Sequence, residues 1–264
     1  MLRGIQAVTF DFGNTLAPVS RAALRLVVER LADDVCVRLG IEDRVDFLDA
    51  WAQERDRQFR EDVPRFREVE LPRRAVRVMA RLRGMPSPSG TDPWDDVVAA
   101  THSTVEEIDS IVDAYSSAFL DRIPAPAESG RVLAELAGRG FRLAILSNWP
   151  LAVTIDQFAA QAGWTGWLHG IYISERIGTI KPHPAIFDHA SSSMGIEPAR
   201  MLHVGDDWAA DVVGSLEAGW HAAYLAGRQE DTSLPTSIPS DVHRPDLEIK
   251  RLAELPVQLV DPTP

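Results

Sequence analysis

Two apolar runs of this chain end on acids. Ile5-Gln-Ala-Val-Thr-Phe10 stops at Asp11, and Met201-Leu-His-Val-Gly205 stops at the pair Asp206-Asp207, with Asp211 on the first turns of the helix that follows. Strands that deliver carboxylates at their carboxyl ends crowd like charges, which repel unless a cation joins them. Oxygen donors select a hard ion of the magnesium type, and the carboxyl edge of an open parallel sheet is where such proteins bind ligands. Asp206 is the first choice of metal ligand, with Asp211 as a further ligand or an anchor for it. Asp11 is the candidate nucleophile, because a carboxylate can attack phosphorus and form an acyl phosphate. Each segment has a plainer reading. Gly13-Asn14 after Asp11 is ordinary turn chemistry, and Asp206 or Asp207 can cap a helix whose dipole Asp211 complements.

Other polar residues fall at comparable places. Thr15 can hold the turn or bind a phosphoryl oxygen. Ser147-Asn148 closes the strand Phe141–Leu146, where a hydroxyl and the following N–H groups can hold an anionic oxygen or cap the next helix. Lys181, in Ile180-Lys-Pro-His-Pro184, is a cation held in a proline-rich loop. It can neutralise a nucleophile and phosphoryl oxygens together, or be a solvated surface lysine. His183 reads as a loop or first-turn residue. Trp149 and Trp208, each directly after a polar site segment, suit either a pocket wall or packing.

The elements around these residues come in two styles. From Pro18 to Ala125 the apolar spacing is helical, with helices expected over Ala22–Leu39, Val45–Phe59, Arg73–Leu82 and Val97–Leu120, and a Pro/Ser/Gly linker over Met85–Pro93. From Ala127 onward helix and strand alternate. Helices are expected over Glu128–Leu136, Leu151–Ala162, Pro184–Met194 and Ala209–Ala218, and strands over Phe141–Leu146, Leu168–Ile173, Met201–Val204 and His221–Leu225. Residues 227–245 read as a loop, Asp246–Lys250 as an edge strand and Arg251–Leu255 as a short helix. Repeated β-α alternation predicts an α/β fold: a Rossmann-like parallel sheet core, residues 1–16 and 126–264, interrupted by a helical insertion, residues 17–125.

Bulk properties narrow the function. The chain has 264 residues, a net charge of −12, 45% hydrophobic and 25% charged residues. That is ordinary for a soluble protein, and it argues against nucleic acid or an anionic membrane as partner, because counterion release needs a basic surface. No run is apolar and long enough to span a bilayer. The single cysteine, Cys36, excludes an intrachain disulfide and fits a reducing cytoplasm; in its apolar helical run it reads as a small core residue. The basic stretch Arg55–Arg67 reads as a solvated face with opposite-sign pairs, an anionic substrate being the alternative contact.

Asp11-x-Gly-Asn-Thr15, Ser147-Asn148, Lys181-Pro182 and Gly205-Asp206-Asp207 with Asp211, in this order, resemble the four motifs of the haloacid dehalogenase-like hydrolase superfamily. The insertion resembles the helical cap of the subgroup that carries its cap after the first motif. The resemblance implies that Asp11 is the nucleophile, Thr15 and Ser147 (with Asn148 beside it) bind the transferring group, and Lys181 is the charge clamp. It also implies that Mg²⁺ is held by Asp11, the Gly13 carbonyl and Asp206, with Asp211 supporting the metal or Lys181. A small phosphorylated substrate follows as partner, and the cap would close over the site.

One position departs from the pattern. Family phosphatases usually carry a second Asp two residues after the nucleophile, acting as general acid and then base; here it is Gly13. Such catalysis is typically worth about 10²–10⁴-fold. Three expectations follow: a phosphatase of good leaving groups or with another proton donor, a carbon–halogen hydrolase, or a weak catalyst that works by binding. The acidic pair Asp206-Asp207 disfavours the second, and the joint presence of Asp11, Lys181 and Asp206 disfavours the third.

Overall fold

The computed structural model describes residues 1–90, 92–226, 237 and 239–262. The chain separates into two compact units, Met1–Arg21 with Ile123–Pro264, and Ala22–Arg122.

The first unit is built on six parallel strands: β1 (Ala7–Phe10), β2 (Arg142–Ser147), β3 (Leu168–Ile173), β4 (Met201–Gly205), β5 (His221–Leu225) and β6 (Leu247–Ile249). Their order across the sheet is β3-β2-β1-β4-β5-β6. This is the expected Rossmann-like α/β sheet. All residues of β1 and β4 are buried, as befits central strands covered on both faces. The chain steps outward from β1 through β2 to β3, then returns so that β4 pairs with the other side of β1. Phe10 is in register with Ile145 on one side and Val204 on the other. The crevice that ligands occupy in such sheets opens where the strand order reverses, here beyond Phe10, Ser147 and Gly205.

The helical unit carries α1 (Arg21–Leu39), α2 (Arg44–Asp62), α3 (Leu71–Leu82), α4 (Asp96–Ala100) and α5 (Val105–Arg122). The α/β unit carries α6 (Ala127–Gly138), α7 (Ala152–Gln161), α8 (Ser174–Ile177), α9 (Pro184–Met194), α10 (Gly214–Glu217) and α11 (Leu255–Gln258). In the helical unit Phe47 and Trp51 stack at 5.7 Å, and Ala80, Trp94 and Ala99 form a second buried cluster. Cys36 is half-buried on α1 rather than in the core.

The helix expected over Val97–Leu120 is two. Thr104 Oγ1 accepts from Glu107 N at 3.3 Å, and Glu107 Oε2 accepts from Thr104 N at 2.9 Å. This reciprocal capping box starts a new helix where apolar spacing alone reads straight through. The helix expected over Ala209–Ala218 begins as a π-helical turn, Trp208–Val213, before α10. Most of the loop expected over 227–245 lies outside the described residues. Arg55, Arg57 and Arg67 meet Asp56, Glu61 and Asp62, the opposite-sign pairing expected of that stretch.

Candidate active site

Asp11 is the first residue past β1, and its N–H is held by Val204 O at 2.8 Å, so the backbone is tied to β4 before the chain turns away. The turn is closed by Asn14. At φ 59° it sits in the left-handed region that asparagine tolerates. Its N–H donates to Ala17 O at 2.7 Å and its Oδ1 accepts from Val19 N at 3.1 Å. Phe12 anchors the turn from below, edge-on to Trp149 at 5.3 Å and to Phe158 at 5.0 Å. Thr15 is thereby set with Oγ1 donating to Asp206 Oδ1 at 3.4 Å.

Lys181 is the hub. Its side chain is 1% exposed, and its ammonium donates to Asp11 Oδ1 at 2.8 Å, Asp211 Oδ1 at 2.6 Å and Leu146 O at 2.9 Å. Those three acceptors use all three ammonium protons. Ser147 Oγ adds a bond to Asp11 Oδ1 at 2.9 Å. Asn148, expected beside the transferring group, has its carboxamide on the Lys181 backbone instead. Oδ1 accepts from Lys181 N at 2.7 Å and Nδ2 donates to Lys181 O at 3.0 Å. Both polar ends of the side chain are thus engaged in holding the lysine in place.

His203 was not among the residues singled out from the sequence. It lies in β4 in register with Thr9. Its Nδ1 is 2.8 Å from Thr9 Oγ1 and its Nε2 is 3.1 Å from Asp211 Oδ1. Lys181 Nζ also lies 3.3 Å from Nε2. An ionised Asp211 can only accept, which favours the tautomer with the proton on Nε2 and Nδ1 accepting from Thr9. Burial, reinforced by the Lys181 charge, pushes His203 down to about 4, so the ring is neutral. A signal existed: polar residues within two buried parallel strands must find partners, and Thr9 and His203 face each other.

Asp211 is fully engaged. Lys181 and His203 meet Oδ1, and Asp207 N donates to Oδ2 at 2.9 Å. Its carboxylate lies over Gly205, where a Cβ would come within 2.1 Å of Oδ2. Only glycine admits that approach. Asp207 turns away and caps the π-helical turn, with Oδ1 accepting from Ala210 N at 2.8 Å, and it also accepts from Ser237 N and Oγ. The capping role therefore falls to Asp207, not Asp206. His183 caps α9, and Trp149 and Trp208 are buried in the packing of the α/β unit.

The charges set the electrostatics. Burial raises Asp11 to about 6, against the pull of Lys181 and with a push from Asp211. Burial alone would lower Lys181, but the Asp11 and Asp211 charges outweigh it and hold it above its ordinary value. Asp211 is held below the carboxylate range because Lys181 and His203 outweigh its burial.

One oxygen from each of Asp11, Asp206 and Asp211 lies within 4.8 Å of the others. Three carboxylates against one lysine leave two negative charges in excess, which is the charge of one divalent cation. The donors are all hard oxygens, so the set fits an ion of the magnesium class. Asp11, Asp206 and Asp211 are the residues that would hold it.

A parallel α/β sheet that gathers acids around one lysine at its carboxyl edge places the molecule among enzymes of the doubly wound class. The chain belongs to the haloacid dehalogenase-like hydrolases, whose family model matches residues 5–219. It is 30% identical over 252 residues to the glyceraldehyde 3-phosphate phosphatase of Methanopyrus kandleri, covering 95% of each chain. It is 29% identical over 164 residues to the haloacid dehalogenase-like hydrolase domain-containing protein 3 of Mus musculus, covering 58% of this chain and 64% of that one. Among solved structures, the 2-haloacid dehalogenase from Pseudomonas syringae pv. tomato superposes with a TM-score of 0.68 at 21% identity, over 96% of this chain and 97% of that one. At that identity the likeness is one of fold. No helix among the described residues is long and apolar enough to cross a membrane.

Proposed function

We propose that this hydrolase is a phosphatase of small phosphorylated metabolites that works through an aspartyl-phosphate on Asp11. The observation that carries the reading is the Asp11 carboxylate itself: it is oriented through Oδ1 by Ser147 and Lys181 and stands beside Asp206. An Asp11 oxygen attacks phosphorus, the phosphorus–oxygen bond to the leaving group breaks, and the leaving oxygen takes a proton. Water then attacks the phosphorus of the acyl phosphate, releasing phosphate and restoring Asp11. Lys181 and Ser147 hold the nucleophile and offset charge on the phosphoryl oxygens. Mg²⁺ held by Asp11, Asp206 and the Gly13 carbonyl would supply further neutralisation of that charge. We assign the helical unit the role of the substrate-selecting cap, and a reducing cytoplasm as the compartment.

Among the described residues the leaving group finds no evident proton donor. Lys181 is held above its ordinary range and His203 is neutral with its proton on Asp211. With Gly13 in the usual acid's place, substrates with good leaving groups are favoured. The test is hydrolysis of an aryl phosphate and an acyl phosphate with and without Mg²⁺. Turnover should need the metal and fall about 10⁴-fold or more in Asp11→Asn. Retained turnover in Asp11→Asn sinks the nucleophile assignment. Gly13 is not at positive φ, so Gly13→Asp meets no backbone strain and should raise alkyl-phosphate turnover by about 10²–10⁴-fold.

Gly13 also favours a second reading, carbon–halogen hydrolysis through an ester on Asp11. It predicts turnover of 2-haloacids without metal, and it leaves the acidic excess at Asp206 without a role.

A further inference from the structure

A chain of hydrogen bonds leaves β1 at Thr9 and comes back to the same run two residues later, at Asp11. Thr9 Oγ1 meets His203 Nδ1 at 2.8 Å, and His203 Nε2 meets Asp211 Oδ1 at 3.1 Å. Lys181 Nζ then bridges Asp211 Oδ1 at 2.6 Å and Asp11 Oδ1 at 2.8 Å. Thr9, His203, Asp211 and Lys181 are all buried. The chemistry proposed above uses Asp11 and Lys181 and gives His203 no task. A polar ring is tolerated inside a central strand because both of its nitrogens are met. An apolar residue would serve β4 as well, as Leu202 and Val204 do on either side. What the imidazole adds is the bond to Asp211.

That bond acts where the lysine is held. Asp211 Oδ1 receives Lys181 Nζ and His203 Nε2 side by side, the two nitrogens 3.3 Å apart, and Oδ2 receives Asp207 N at 2.9 Å. Three donors fix the plane of the carboxylate as well as its position. The ring is held in turn: Phe187 packs edge-on against it at 5.9 Å and is itself edge-on to Trp220 at 5.3 Å. Thr9, by donating to Nδ1, selects the tautomer that leaves the proton on Nε2. Without the imidazole donor, Oδ1 keeps only the ammonium, and the two can shift together, drawing Lys181 off Asp11. We infer, on the phosphatase reading of Asp11, that His203 is a positioning residue: through Asp211 it sets the Lys181 ammonium on the nucleophilic carboxylate.

The experiment compares the full-length wild type with His203→Leu, His203→Gln, His203→Asn and Thr9→Val. Each is measured by steady-state hydrolysis of an aryl phosphate with Mg²⁺, by melting temperature, and by the imidazole nitrogen spectrum of histidine-labelled protein. Glutamine can carry an amide N–H to the place of Nε2. Asparagine, one methylene shorter, can meet Thr9 but not Asp211. His203→Leu and His203→Asn should lower kcat about 10²-fold at unchanged KM, the cost of a misplaced charged group. His203→Gln should return most of that loss, and Thr9→Val should give a smaller loss in the same direction. The wild-type spectrum should show a neutral ring with its proton on Nε2, and Thr9→Val a mixture of tautomers. Turnover that simply follows melting temperature, with His203→Gln no better than His203→Leu, overturns the inference. A loss confined to KM, or a wild-type proton on Nδ1, does the same. A wild type that hydrolyses no phosphate ester sinks the phosphatase reading alone. The nitrogen spectrum needs no turnover and still decides whether Nε2 faces Asp211 as a donor.

Discussion

The two units bury charge differently. In the α/β unit three carboxylates cluster around one lysine that pairs with two of them, Asp11 and Asp211, and the balance is short of positive charge. On α3 Arg73, Arg77 and Arg81 meet four carboxylates, Asp62, Glu61, Asp96 and Glu54, while the buried Arg74 rests on neutral partners, so charge there is matched within the unit. A buried imbalance marks what a region is built to receive, because a chain serving only stability would pair or omit such groups. By that rule the acid-rich centre accepts a cation, whereas the matched arginines of α3 serve the packing of the helices.

The sharpest test of the contrast is Lys181→Met. It leaves Asp11 and Asp211 buried with no cation, and removing one partner of a buried pair costs about 3–5 kcal/mol. Urea unfolding should report that loss, and added Mg²⁺ should recover part of it. An unchanged midpoint would mean that Lys181 does not balance the acids. Arg77→Met probes the matched side. Its partners Glu61 and Asp96 are 22% and 42% exposed, so water can take up part of what is lost and the expected cost is smaller, about 2 kcal/mol. A cost equal to that of Arg74→Met would erase the distinction between matched and unmatched arginines.

The smallest effect lies at the surface. Glu107, bonded to Arg83 at 2.5 and 2.9 Å and to Thr104 N, is held at about 2 against an ordinary 4.5. Its folded pKa is depressed, so its contribution is complete above pH 4.5 and disappears as the pH falls toward 2. Glu107→Gln should therefore cost ~1 kcal/mol or less at pH 7 and almost nothing near pH 2. A gap between the two proteins that widens with acid would contradict the assignment.

The parallel sheet, its strand ends and the positions of Asp11, Ser147, Lys181 and Asp206 were legible in the sequence because apolar runs and acids mark themselves locally. The roles of neighbours were not. Asn148 looks like a phosphate ligand from its place after Ser147, but its partner is 33 residues away. His203 hides inside an apolar strand, and its meaning depends on Thr9 in the strand alongside. The break between α4 and α5 was encoded as Thr104-x-x-Glu107, a capping signal that apolar spacing overrode. Arg74 could not be told from Arg73 or Arg77 until their acids were located in space.

The paired bonds between Asn148 and the Lys181 backbone have a further consequence. They close a loop containing α7, β3 and α8 at its base, as a staple would. Closure entropy grows only slowly with length, by about 0.6 kcal/mol per doubling. Since α7 and β3 belong to the core, added length between the two residues is accommodated at the exposed Thr165-Gly166 turn while the lysine stays in place. That turn is the point at which a reporter or a second domain can be inserted into this scaffold.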